Sequence, residues 1–176
     1  AAGDRGTFYQ AVPLVLVTTG PKASLAMTKN GETTPFKLEE EFAGVSKTQR
    51  SEEFDAEAIF VGHGITAPEF GWDDYKDVDV KEKVVVCFTN EPPSDDPKFF
   101  GGKALTYYGR WTYKYEEATR RGAIAVLIIH TNETAGYPYS VVKKLKGAQL
   151  QREADAPALA FAGWLSKQAG EKVLAS

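Results

Sequence analysis

Hydrophobic positions fall into several short β-type runs and one long amphipathic stretch. Phe8–Thr19, FYQAVPLVLVTT, is dense in β-formers, and Pro13 marks a strand start or an edge. Ala23–Lys29 and Glu32–Leu38 flank Asn30-Gly31. That dipeptide suits a type I′ turn, whose two central residues both need positive φ, so the pattern predicts a hairpin. From Phe36 to Glu53 the chain turns charged and loses its period, which predicts a meandering connection. Ile59–Val61 and Val84–Phe88 are again apolar and β-branched. Between them Gly62 and Gly64 permit unusual backbone, and Pro68 and Gly71 exclude a long helix. The pattern predicts an ordered loop joining two core strands, with the rest of the chain packed around that pair. Asn90–Pro97, NEPPSDDP, carries three prolines and three acids and reads as a solvated loop.

Arg110–Arg121 carries Trp111, Tyr115 and Ala118 at i, i+4, i+7, the spacing of a helix face, and Gly122 stands where a C-terminal cap belongs. Ala123–Ile129 is wholly apolar and predicts a strand buried on both faces. A short basic helix over Ser140–Lys146, a strand over Pro157–Phe161 and a closing helix over Trp164–Leu174 complete the expectation. This order predicts a mixed α/β domain, a β-sheet or open barrel with flanking helices.

Composition narrows the classes. The 176 residues suit one domain with a real core, and 43% hydrophobic content excludes wholesale disorder. A net charge of −3 gives no electrostatic reason to expect nucleic acid or an anionic membrane. No apolar run approaches the roughly 20 residues that cross a bilayer. With no signal peptide and no initiating Met, the chain is expected to be a processed or excised segment. Its one cysteine, Cys87, lies in an apolar strand and reads as a buried structural thiol.

Candidate chemistry is sparse. His63 lies between glycines in a turn and His130 ends an apolar strand. Gly62-His63-Gly64 with Ala67 satisfies a loose dinucleotide pattern, but that pattern needs a helix N-terminus where Pro68 and Gly71 stand. Asp73, Asp74, Asp77 and Asp79 could hold calcium or serve as turn caps. Asn132-Glu133-Thr134 fits the N-glycosylation sequon. The aromatic segment is the surface candidate: Tyr107, Tyr108, Trp111, Tyr113 and Tyr115 crowd around Arg110 and Lys114. One helical stripe cannot bury five rings, so some are expected at an interface.

The strand-turn VGHGI, then GWDDYKDVDV and KEKVVV, and farther on YYGRWTYKYEEATRRGAIAVLIIH, resemble the protease-associated domain. The likeness is closest to the form inserted in secreted zinc aminopeptidases of peptidase family M-28, relatives of the transferrin receptor and glutamate carboxypeptidase. It covers about Phe54 to the C-terminus, and residues 1–53 more loosely. Glu82 departs from it, standing where the family has Gly. The resemblance implies a single domain of the swivelling β/β/α type over residues 1–176, excised from a larger secreted or periplasmic chain. It implies a catalytic peptidase domain on the same polypeptide as partner, holding the zinc, with peptides as substrates. A dinuclear zinc site needs several converging His and carboxylate ligands, and two histidines cannot supply them. This chain is therefore expected to be non-catalytic and to govern substrate access. Tyr107, Tyr108, Arg110 and Trp111 would form a lip toward the active site, Arg110 by loose correspondence with a basic loop of glutamate carboxypeptidase. The alternative is an interaction module of a receptor or sorting protein, without peptidase activity.

Overall fold

The computed structural model describes residues 3–143 and 147–175. Seven strands precede the first long apolar run: β1 (Leu14–Val17), β2 (Leu25–Lys29), β3 (Glu32–Phe36), β4 (Phe42–Val45), β5 (Ala58–Phe60), β6 (Thr66–Ala67) and β7 (Trp72–Asp73). Then follow β8 (Val84–Phe88), α1 (Trp111–Arg120), β9 (Ala125–Ile129), α2 (Asn132–Ala135), β10 (Gly147–Leu150), β11 (Phe161–Leu165) and α3 (Lys167–Ala175). The architecture is mixed α/β, as the pattern predicts.

The core is an open five-stranded sheet in the order β4-β11-β9-β8-β5. β5, β8, β9 and β11 run parallel, and β4 closes one edge antiparallel to β11. Parallel neighbours require crossovers, and α1 supplies the one between β8 and β9. The sheet is covered on both faces, and alternate residues of one strand face opposite ways. Val85, Cys87, Val126, Ile128 and Trp164 pack with Tyr115 and Ala118 of α1. Val84, Val86, Leu127, Ile129 and Leu165 pack with Phe36 of β3 and Ala169 of α3. Every residue of β9 is buried, as its unbroken apolar run requires. Each such aliphatic side chain contributes about 1.5–3 kcal/mol of transfer free energy.

Several expectations need correction. The organising strand is β9, at the middle of the sheet; β5 is an edge strand, with Ala58 and Phe60 exposed. The connection over Phe36–Glu53 contains β4, whose Phe42, Ala43 and Gly44 are buried in the main sheet. Four residues between Glu41 and Ser46 are too few to show a period. The last strand is Phe161–Leu165, not Pro157–Phe161, and the closing helix begins at Lys167. Ala162 and Gly163 carry little strand propensity; the neighbours on both sides impose it. Around Ser140 a 3-10 turn over Tyr139–Val141 replaces the start of the basic helix, and residues 144–146 lie outside the described residues. Glu91 and Pro92 of the proline-rich loop are buried, not solvated.

The hairpin forms as predicted. β2 and β3 pair antiparallel with Lys29 opposite Glu32, and Asn30 and Gly31 have φ of 52° and 82°. Gly31→Val is therefore expected to cost roughly 1 kcal/mol or more, read as a lower urea midpoint. An unchanged midpoint would contradict the turn assignment. Glu82 also sits in the left-handed region, φ 60°, where its N–H donates to the Gly122 carbonyl at 2.8 Å. Glycine relieves that strain, so Glu82→Gly is expected to raise stability by up to about 1 kcal/mol. A lower midpoint would show that the Glu82 side chain does more than tolerate the turn.

Candidate functional site

The carboxyl ends of the parallel strands and the start of α1 meet around one buried ammonium group. After β5 the chain turns through Gly62-His63-Gly64, both glycines at positive φ. A Cβ on Gly62 would fall 2.6 Å from the Asp74 carboxylate. That carboxylate accepts from the backbone N–H of His63 at 3.1 Å and of Ile65 at 3.0 Å, which fixes the turn.

Lys114 is fully buried on the inner face of α1. Its Nζ donates to the carbonyls of His63 at 2.6 Å, Asn90 at 2.7 Å and Tyr108 at 3.4 Å. Three donors thus meet three acceptors, one from each of three loops. Burial pulls its pKa below the ordinary lysine value, against the opposing effect of Cys87, Asp74 and Glu91. Beside it Glu91, also buried, accepts from the Thr106 N–H at 2.8 Å and the Thr106 hydroxyl at 2.5 Å. Thr106 Oγ1 in turn accepts from the Tyr108 N–H at 3.2 Å, capping the 3-10 turn over Tyr107–Gly109. The 106–110 segment is pinned from beneath by two buried charges.

Above that support the four predicted lip residues separate. Tyr107 is 52% exposed and Trp111 39%, and Arg110, the N-cap of α1, is exposed as well. Tyr108 is half-buried: its ring meets Phe70, Phe100 and Tyr113 edge-on. Its hydroxyl donates to Glu69 at 2.8 Å, and that bond pushes its pKa up to about 12. Tyr107 donates to Glu116 at 2.8 Å, and Trp111 meets the buried Tyr115 edge-on. The structure thus brings Tyr107, Arg110 and Trp111 to the surface and turns Tyr108 inward as their anchor. Sequence reasoning missed Glu91, Asn90 and Glu69, and it placed Lys114 in the surface cluster although the side chain is fully buried. Lys114 had a readable signal, since it lies three residues after Trp111 and four before Ala118, within the helix's inner stripe.

The other candidates resolve into structural roles. Asp73 accepts from the Tyr75 N–H and Asp79 from the Lys81 N–H, both two residues on, and Asp77 adopts a left-handed φ of 60°. Among the described residues no group of three His, Cys, Asp or Glu could hold a metal ion. Cys87 is fully buried, and burial raises its thiol pKa to about 11. No helix among the described residues is long and apolar enough to cross a membrane.

His63 packs on Phe88, with Nδ1 3.3 Å from the Asn90 carbonyl. His130 is 1% exposed among Tyr137, Tyr139 and Trp164. Burial, chiefly, holds both imidazoles below their ordinary pKa. A depressed histidine favours the neutral form in the fold. Its contribution is complete above the unfolded value, about 6.5, and is lost as pH falls toward the folded one. The urea midpoint is therefore expected to drop between about pH 7.5 and pH 5.5. A His130→Phe variant would flatten that slope; an identical slope would exclude His130 from it.

No family model matches the chain, and no curated protein sequence matches it. Among solved structures, an aminopeptidase from Aneurinibacillus sp. strain AM-1 is similar, with 17% identity and a TM-score of 0.46. The match covers 94% of this chain and 30% of that one, so this chain spans under a third of that protein's length. A likeness so distant carries no function across.

Proposed function

We propose that the chain is a non-catalytic protease-associated module, of the swivelling β/β/α type, that sits beside the active site of a zinc aminopeptidase and governs which peptides reach it. The observation that carries this reading is the construction of the 106–111 segment. Exposed Tyr107, Arg110 and Trp111 project from a turn that buried Lys114 and Glu91 hold in place. Charges buried for support, with aromatic and guanidinium groups left outside, suit contact with a peptide or a neighbouring domain. The sequence resemblance over VGHGI, the DDY segment and KEKVVV supports the family, and Glu82 takes the left-handed φ that glycine would provide there.

In this reading zinc belongs to a separate peptidase domain of the same polypeptide. His130 is closed over by aromatic rings and His63 faces a backbone carbonyl, so neither is set to ligate a metal. The module is extracytoplasmic and its partners are the peptidase domain and the peptide substrate. The test is turnover of aminoacyl-nitroanilides by the purified chain, together with its metal content. The expected result is a folded chain without turnover. Stoichiometric zinc, with turnover abolished by a chelator, would overturn the reading.

A further inference from the structure

Along one flank of α1 runs a groove of about 490 Å³ that shares only Trp111 with the lip. Its volume lies within the range of small-ligand sites. Trp111, Tyr115 and Thr119 follow one another along the helix wall. Eight steps of about 1.5 Å from Trp111 to Thr119 make that wall about 12 Å long, the reach of three to four residues of extended chain. Leu159 and Tyr115 form a buried apolar floor, and the Trp111 ring stands half-open at one end.

The charges on this lining are unevenly compensated. Lys47 is half-buried, and loss of water alone holds its ammonium below the ordinary lysine pKa, with no carboxylate opposing it. Its backbone is fixed at both ends: the N–H donates to Leu159 at 3.1 Å and the carbonyl accepts from Arg152 at 3.2 Å. Arg152 donates also to the Ala156 carbonyl, so these bonds go to neutral acceptors and leave its charge uncancelled. Arg120 differs, because Glu117 pairs with it at 2.6 Å. Among the described residues Glu116 is the one carboxylate on the lining, and it accepts the Tyr107 hydroxyl. Among the described residues neither Lys47 nor Arg152 is paired with a carboxylate, which leaves two cations beside an aromatic shelf.

We propose that this groove binds an extended, carboxylate-bearing peptide segment, with the carboxylate received by Lys47 and Arg152 and an apolar side chain lying on Trp111. A half-buried cation without a counter-ion gains most from a ligand that supplies one. The inference goes beyond the lip reading and holds whether or not a peptidase domain accompanies the chain.

The experiment titrates the full 176-residue chain with a blocked pentapeptide holding one phenylalanine and one glutamate, and separately with its glutamine counterpart. The readout is the backbone amide resonances of Tyr115 and Thr119 on the groove wall, with the Trp111 indole N–H as a second reporter wherever Trp111 is kept. A saturable shift is expected for the glutamate peptide, with affinity about fivefold or more weaker for the glutamine peptide. Lys47→Gln should remove that preference, and Trp111→Leu should weaken both peptides. The two-peptide comparison on the unaltered chain stands even if a variant fails to fold. Equal affinity for the two peptides, or no saturable shift up to about millimolar concentration, would overturn the proposal.

Discussion

Lys114→Met is expected to cost about 3 kcal/mol or more of stability. Methionine replaces the buried stem with an apolar chain of similar length, so packing changes little. The ammonium is what disappears. Three carbonyls, of His63, Asn90 and Tyr108, then lose the ammonium donor, and Asn90 keeps only the 3.3 Å contact with His63 Nδ1. Each buried acceptor left unpaired costs roughly 1–3 kcal/mol. The effect should also be visible locally, because the three loops share that one group. Amide exchange in the 106–110 and 62–64 segments is expected to accelerate more than in β9. A urea midpoint equal to wild type would mean that the ammonium is dispensable and that the lip is held by other contacts.

Gly44→Val is expected to be the second most damaging change, at roughly 3 kcal/mol. Gly44 of β4 lies opposite Gly163 of β11. A Cβ at Gly44 would meet the Ala162 carbonyl and the Gly163 Cα at 2.5 Å each, and the Phe161 ring at 2.6 Å. The ring of Phe161 thus covers the surface that two missing side chains leave, and no room remains for a branched one. The backbone on both sides would have to separate, which detaches β4 from the sheet. A variant with an unaltered denaturation midpoint would place β4 elsewhere.

These two sites also show where the sequence was legible. Elements whose own residues dictate them were read correctly. Asn30-Gly31 can hardly serve a strand interior, an unbroken run such as Ala123–Ile129 has nowhere to go but the sheet centre, and Gly122 takes the positive φ that ends α1. Elements defined by partners were not. β4 and β11 are short, hold Gly44 and Gly163, and become strands because they pair with each other and β11 pairs with β9. The aromatic crowding around Arg110 correctly predicted exposed rings, with Tyr107 and Trp111 outside. Which ring turned inward depended on Phe70, Phe100 and Glu69, which are distant in sequence from Tyr108. Helical spacing places Lys114 on the inner stripe, but the backbone carbonyls that a buried lysine needs leave no mark in a sequence.

In the proposed function the exposed edge at Tyr107, Arg110 and Trp111 selects peptides for a catalytic centre it does not belong to. The direct measurement is the steady-state kinetics of the full-length protein with Arg110→Ala and Trp111→Ala, on aminoacyl-nitroanilides and on peptides of increasing length. Arg110 should be tested also as Lys, which keeps the charge but not the planar, bidentate geometry. KM for longer peptides is expected to change by about threefold or more, with kcat on the smallest substrate and the zinc content unaltered, because a remote lip supplies uniform binding and no transition-state contact. Wild-type kinetics at every peptide length in both alanine variants, or a loss of kcat on the smallest substrate, would contradict it.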